Sequence, residues 1–183
     1  MIPADSGRKR ETESLSFRLE KNDLDDLREL ARSRKISLNS LVAQILDRYL
    51  RLWVYDRAFG FFPINKKTIR LAFAKLSSAE ISEIASESGA TIHKEIIMFL
   101  YGEVTPTTVI DYLEVFGSRF ESYRHFRKGS RHTVTIFHDV SLKFSQVYYA
   151  ILKAILALAE FKIIESEGDL DEDGFSLSFD AKR

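Results

Sequence analysis

The chain has no cysteine among its 183 residues. That removes disulfide scaffolds, thiolate metal sites and cysteine nucleophiles together, and it is the pattern expected in a reducing cytoplasm. A long apolar run is missing too. The longest, Val147 to Ala159, is interrupted by Lys153 and is too short to cross a bilayer. The N-terminus is polar and charged, unlike a secretory leader, so a cytoplasmic protein with no membrane partner is expected. No glycine-rich phosphate loop, metalloprotease helix or nucleophile elbow occurs, and no segment repeats. The sequence therefore makes no positive case for an enzyme, and neither a cofactor nor a metal is expected.

An excess of one charge is also lacking, with 27 basic residues against 27 acidic. Residues 1–51 hold 11 basic and 9 acidic residues, a net of +2, which leaves 16 and 18, a net of −2, for the remainder. With so small a difference, any nucleic-acid contact must depend on where the charges sit. Hydrophobic residues make up 45% of the chain, which is ample for folded domains of ordinary globular type.

The most informative segment is Ser14 to Leu50. Ser14-Leu15-Ser16-Phe17-Arg18-Leu19 alternates, so period two puts Leu15, Phe17 and Leu19 on one face and Ser14, Ser16 and Arg18 on the other. Two short amphipathic helices follow. The first starts near Lys21 or Asn22 and buries Leu24, Leu27, Leu30 and Ala31. The second takes Ser37 as N-cap, buries Leu41, Val42, Ile45, Leu46 and Tyr49 or Leu50, and can run on past Trp53. A lone strand leaves its backbone groups unpaired, so the segment calls for a second copy of itself across a two-fold axis. The resulting two-stranded ribbon would turn its polar face outward, in a shape that fits the major groove of DNA.

From Thr12 to Arg51 the order of these features resembles the ribbon-helix-helix family of DNA-binding proteins. The resemblance rests on Leu15-Ser16-Phe17-Arg18-Leu19, the apolar stripe of the first helix, the turn Ile36-Ser37-Leu38-Asn39-Ser40, and Leu41, Val42, Ile45 and Leu46. It implies that Ser14, Ser16 and Arg18 read base edges, with Arg18 placed for a bidentate guanine contact. It also implies that the amides near Ser37, Leu38 and Asn39 hold a backbone phosphate, a role that a helix N-terminus supports on physical grounds. Where the family often has glycine between its helices, this chain has Lys35. A left-handed lysine there costs about 1 kcal/mol and adds a positive charge beside the phosphate. Arg8, Lys9 and Arg10, just before the strand, form a basic arm able to follow the phosphates.

The expected organisation is a ribbon-helix-helix domain over residues 1–53, an aromatic connector over 54–64 and an α+β domain over 65–183. Trp53, Tyr55, Phe59, Phe61 and Phe62 are too apolar for a free tether and read as a docking hinge, with a nucleic-acid stacking surface as the alternative. Asn65 caps a helix to about Leu76. Ser77-Ser78-Ala79-Glu80 is a capping box opening a helix. Helical spacing of Ile81, Ile84, Ala85, Ile92, Ile96 and Leu100 favours its continuing through Gly89 to Tyr101 over a break there into helix plus strand, and Thr105-Pro106 starts another to about Phe116. An antiparallel β-β-α-β-β pattern follows: strands at Ser122–Arg127 and Arg131–His138, a central helix over Ser141–Glu160, and a hairpin of Lys162–Glu167 with Gly174–Asp180.

Four clusters in this second half were weighed for chemistry. His125, His132 and His138 lie on one hairpin, with His125 and His132 near cross-strand neighbours, and could converge on a metal; ordinary surface histidines are the plainer reading. Arg124, Arg127, Lys128 and Arg131 form a basic hairpin tip, read as solvated, with a second nucleic-acid contact as the alternative. Asp169 to Gly174 opens like a calcium loop with Asp180 at position twelve, yet strand-like flanks and Ser176 in a normally apolar slot favour a plain acidic turn. His138-Asp139 with Ser141 and Ser145 hints at a hydrolase triad, but capping of the central helix by Asp139 or Ser141 accounts for part of it. His138 to Ser145 is also faintly similar to part of an uncharacterised archaeal domain, which implies no activity.

These readings converge on a homodimer, or higher even oligomer, that binds double-stranded DNA sequence-specifically and regulates transcription. The second domain would sense a small-molecule effector, add a dimer interface or bind a protein partner. Three alternatives remain. One is an antitoxin-like autorepressor whose second half masks a toxin. Another is an effector-responsive repressor, and the last a protein that uses the ribbon for dimerisation alone.

Overall fold

The computed structural model describes residues 13–56 and 58–181. The chain is α+β, and its described residues divide into two units, one up to Phe62 and one from Pro63. In the first unit, α1 spans Lys21–Ser33 and α2 spans Leu38–Arg48. The second helix passes without a break into a π-helical turn at Tyr49–Trp53 and a last helical turn at Val54–Asp56.

The second unit begins with α3 (Lys66–Phe73) and α4 (Ser78–Glu87). A π-turn at Ser88–Ile92 leads into α5 (His93–Tyr101), followed by α6 (Pro106–Gly117). Local chemistry sets each start. The Asn65 side chain accepts from the Lys67 amide, Ser77 and Glu80 form a reciprocal capping box, and Thr105 caps α6 with Pro106 behind it. At the end of α5, Gly102 takes the left-handed conformation at φ +79.

The β-strands are β1 (Ser122–Lys128), β2 (Arg131–Phe137), β3 (Lys162–Leu170) and β4 (Gly174–Asp180), with α7 (Leu142–Ala157) between the hairpins. They form one antiparallel sheet in the order β1-β2-β4-β3. Lys128 pairs with Arg131 across a two-residue turn in which Gly129 supplies φ +66. Strand β3 runs to Leu170, beyond the expected end at Glu167, because an irregularity between Ile164 and Asp169 lets this edge strand continue past its acidic stretch.

Period two then fixes the core. His132, Val134 and Ile136 on β2, with Phe175, Leu177 and Phe179 on β4, are all buried on the inner face. Helix α7 packs against β3 and β4 and also against α4 and the π-turn, which makes it the central helix. Ser141 caps it, and Phe144, Val147, Ile151, Leu152, Ile155 and Leu156 are buried. Lys143 closes the contact with α3 by donating to the carbonyls of Ala74 and Leu76.

Ile81, Ala85, Gly89, His93 and Ile97 are all buried and recur at intervals of four. On a regular helix of 3.6 residues per turn, such a row drifts by about 40° per turn. The π-turn supplies the extra residue that keeps the row facing its neighbour. Gly89 is required by the approach itself: a Cβ there would lie 2.4 Å from the Cβ of Ala154 on α7.

One expected element differs. Ser14 to Leu19 carries no strand ladder in the single chain. A strand exists through its partner, and the first unit offers these residues none among those described. Among the described residues, no helix is long and apolar enough to cross a membrane.

Candidate nucleic-acid interface

The first unit places its polar and apolar residues in an arrangement that a single chain leaves open. Ser14, Ser16 and Arg18 are exposed, as the base-reading role requires. The opposite face is exposed as well, with Leu15 at 82%, Phe17 at 55% and Leu19 at 42%. These apolar side chains border a groove of about 540 Å³ whose walls include Leu24 and Leu27 of α1 and Val42 and Leu46 of α2. Ala31 and Leu41 are buried and hold the two helices together. The rest of the expected stripes is not buried: Leu24, Leu27 and Val42 are half-buried, and Leu30, Ile45, Leu46, Tyr49 and Leu50 are exposed, since two short helices cover each other only along their line of contact.

The interhelical turn is built for a tight reversal. Lys35 sits at φ +55, so the lysine occupies the left-handed position that glycine otherwise takes. The amide of Lys35 donates to the Arg32 carbonyl at 3.0 Å, and that of Ile36 to the Ala31 carbonyl at 3.1 Å. Ser37 caps α2, its Oγ accepting from the Ser40 amide at 3.0 Å. That bond satisfies Ser40 and leaves the amides of Leu38 and Asn39 with no helical acceptor before them. The first turn of α2 contains no acidic residue, and Lys35 is exposed. Positive potential therefore gathers at this helix start, in side chain and backbone alike. Arg8, Lys9 and Arg10 lie outside the described residues.

The second unit changes the reading of its histidines. His132 and His138 are buried, not on the surface. They share the parity of Val134 and Ile136, so the strand's own alternation carries both inward. His132 Nδ1 lies 2.8 Å from His125 Nε2, and the His132 ring stacks on Phe179. Burial first, and then His125, hold His132 below the ordinary histidine range. His125 also reaches Glu114 on α6, with Nδ1 3.2 Å from the carboxylate. A ring nitrogen that faces its neighbour at 2.8 Å shares one hydrogen with it, so neither points outward to an ion.

The His138 pair has a different geometry from a hydrolytic one. Its Nδ1 accepts from the Val140 amide at 3.1 Å, which leaves the proton on Nε2. Nε2–H then donates to Ser145 Oγ at 2.7 Å, and Ser145 donates onward to the Asp171 carbonyl at 2.6 Å. A general base must accept the serine proton, whereas this imidazole presents one. The arrangement ties the start of α7 to the β3–β4 turn.

That turn explains the acidic run. Asp171 Oδ1 accepts from the amides of Asp173 and Gly174, both at 2.8 Å, so the carboxylate closes the hairpin. Asp180 stands at the far end of β4, beside Arg131 at 3.6 Å, and shares no loop with Asp169. Among the described residues, no three His, Cys, Asp or Glu side chains converge where a metal would sit. At the other hairpin, Arg127 turns back to the Gly129 carbonyl and Arg131 is held by Glu167 at 2.8 Å. Arg124 and Lys128 are left exposed on the opposite face from His125.

Compared with known proteins, the chain matches no protein-family model and none of the curated proteins.

Proposed function

We propose that this chain is a homodimeric, sequence-specific DNA-binding transcriptional regulator of ribbon-helix-helix type. The observation that carries the reading is the exposed apolar row Leu15, Phe17 and Leu19 beside an apolar groove between α1 and α2. Exposed apolar surface of that extent marks an interaction site. A second copy supplies what the row needs: a strand to complete the ladder and a matching apolar face to bury it. Pairing that way turns Ser14, Ser16 and Arg18 of both copies to the same side, where a ribbon enters the major groove. The left-handed Lys35 and the open amides of Leu38 and Asn39 then face the phosphates.

The second unit has its own sheet and buried core. That favours an effector-sensing or partner-binding domain over a toxin-binding tail that orders only on binding. The test is selection of the full-length protein on random duplexes with a salt titration, run beside Arg18→Ala. A two-fold-symmetric site, lost or relaxed at one base per half-site in the variant, is the expected result. No binding at low salt, or a site indifferent to Arg18, overturns the base-reading role.

A further inference from the structure

The four-stranded sheet has a second face that the core does not use. Parity and register assign Arg124, Phe126 and Lys128 of β1 to it, with Arg131, Thr133, Thr135 and Phe137 of β2 alongside. Phe126 is 65% exposed and Phe137 43%. On the edge strand the face reads cation, ring, cation: Arg124, Phe126, Lys128. Residues two apart on one face of a strand are about 6.7 Å apart, so a flat ring is flanked on both sides by positive charge. Neither Arg124 nor Lys128 makes an ion pair among the described residues.

Hydroxyls lie next to the ring. Phe126 pairs with Thr133, whose Oγ1 is 2.8 Å from Ser178 Oγ on β4; Arg124 pairs with Thr135, and Thr135 with Ser176. The centre is therefore low and polar, and Phe137 rises again at the other end of β2. Carboxylates reach the face from β3 and β4, where Glu167 and Asp180 hold Arg131, the cross-strand partner of Lys128, and Asp169 lies across from Ser176, so the cations left without a carboxylate are those of β1. The positive, aromatic half of the face is thus the β1–β2 hairpin.

We propose that this outer face of β1–β2 binds single-stranded nucleic acid, with a base stacked on Phe126, a second on Phe137, and phosphates on Arg124 and Lys128. Every base has a π-face, so a ring bracketed by cations, with a second exposed ring on the same face, suits a strand whose bases are unpaired. A duplex hides those faces and gives Phe126 nothing to stack on. Pairing of the open β1 edge with a second copy is disfavoured, since Arg124 and Lys128 would meet their own charges across the ladder. The site lies on the second unit and does not depend on the ribbon.

The experiment is fluorescence anisotropy of labelled single-stranded 12-mers, one DNA and one RNA of the same sequence, with full-length protein. Phe126→Ala is expected to weaken binding roughly tenfold and Phe126→Trp to retain it. Arg124→Ala with Lys128→Ala should flatten the log-affinity against log-salt slope by about 1.4, and Arg18→Ala should change nothing. DNA and RNA bound alike, or one preferred, both support the site and identify its source strand. The proposal is overturned by absence of binding at low salt, by affinity unchanged in Phe126→Ala, by loss in Arg18→Ala, or by poly-glutamate competing as well as unlabelled oligonucleotide. The last outcome assigns the face to an acidic protein. Far-ultraviolet circular dichroism of each variant separates a lost site from a lost fold.

Discussion

His93 on α5 and Tyr112 on α6 meet in the core, with Nδ1 and Oη 2.6 Å apart. Burial, followed by the nearby Arg119 charge, lowers the His93 pKa to about 4, and burial raises that of Tyr112. The folded protein thus prefers neutral His93, while the unfolded chain takes up a proton near pH 6.5. A lowered histidine pKa gives stability that is complete above the unfolded value and is lost as pH falls toward the folded one.

Stability should therefore drop between pH 6.5 and 4, by on the order of 3 kcal/mol from His93 alone. His132 and His138, both also lowered by burial, act in the same direction. Urea midpoints at pH 7 and pH 4.5 check this, and His93→Gln should flatten part of the slope. Equal midpoints would contradict the burial.

Lys35→Gly separates stability from DNA affinity. Glycine relieves the left-handed strain at φ +55, so the first unit should gain up to about 1 kcal/mol. In the proposed DNA interface the same change removes a charge from the phosphate contact, and duplex binding should weaken with a salt slope smaller by about 0.9. Thermal melts and a salt titration read the two effects independently. A variant that is both more stable and equally tight would remove Lys35 from the interface.

Phe17→Ser addresses assembly. The half-exposed ring borders only the groove of the first unit, so the fold of the second unit should be unaffected. In a dimer that ring is buried, and sedimentation should show the mass shifting from two copies to one, with duplex binding lost. A dimer that persists places its interface elsewhere.

Gly89→Ala forces a methyl group to within 2.4 Å of the Ala154 Cβ. Overpacking of this kind costs roughly 1–3 kcal/mol. Ala154→Gly opens the space but weakens α7 by about 1 kcal/mol. The double variant should be less damaged than the two losses added together, as a denaturant-based double-mutant cycle would show. Simple additivity would mean that the helices do not meet there.

Where sequence and structure agree, the signal was local. Asn65, Ser77 with Glu80, Thr105 with Pro106 and Ser141 start the helices they were expected to start, since a cap needs only residues three or four apart. Alternation placed Phe175, Leu177 and Phe179 together, and Gly129 marked its turn. The buried histidines were within reach, because His132 and His138 fall in phase with Val134 and Ile136; residue type outweighed parity. The strand order β1-β2-β4-β3 and the π-turn at Ser88–Ile92 were not legible, since each depends on neighbours distant in sequence. Ser14 to Leu19 alternate clearly in sequence, yet alternation alone gave them no partner strand in the single chain.

The π-turn at Ser88–Ile92 also sets how the chain tolerates changes of length. Removing one residue there would restore a regular helix and rotate everything beyond it by about 100°, carrying His93, Ile96, Ile97 and Leu100 off the side held by Ile81 and Ala85. Improved local geometry would thus dismantle the core. Insertions are tolerable at exposed loop tips, whereas the residue count from Ile81 to Leu100 is as constrained as any side chain in the domain.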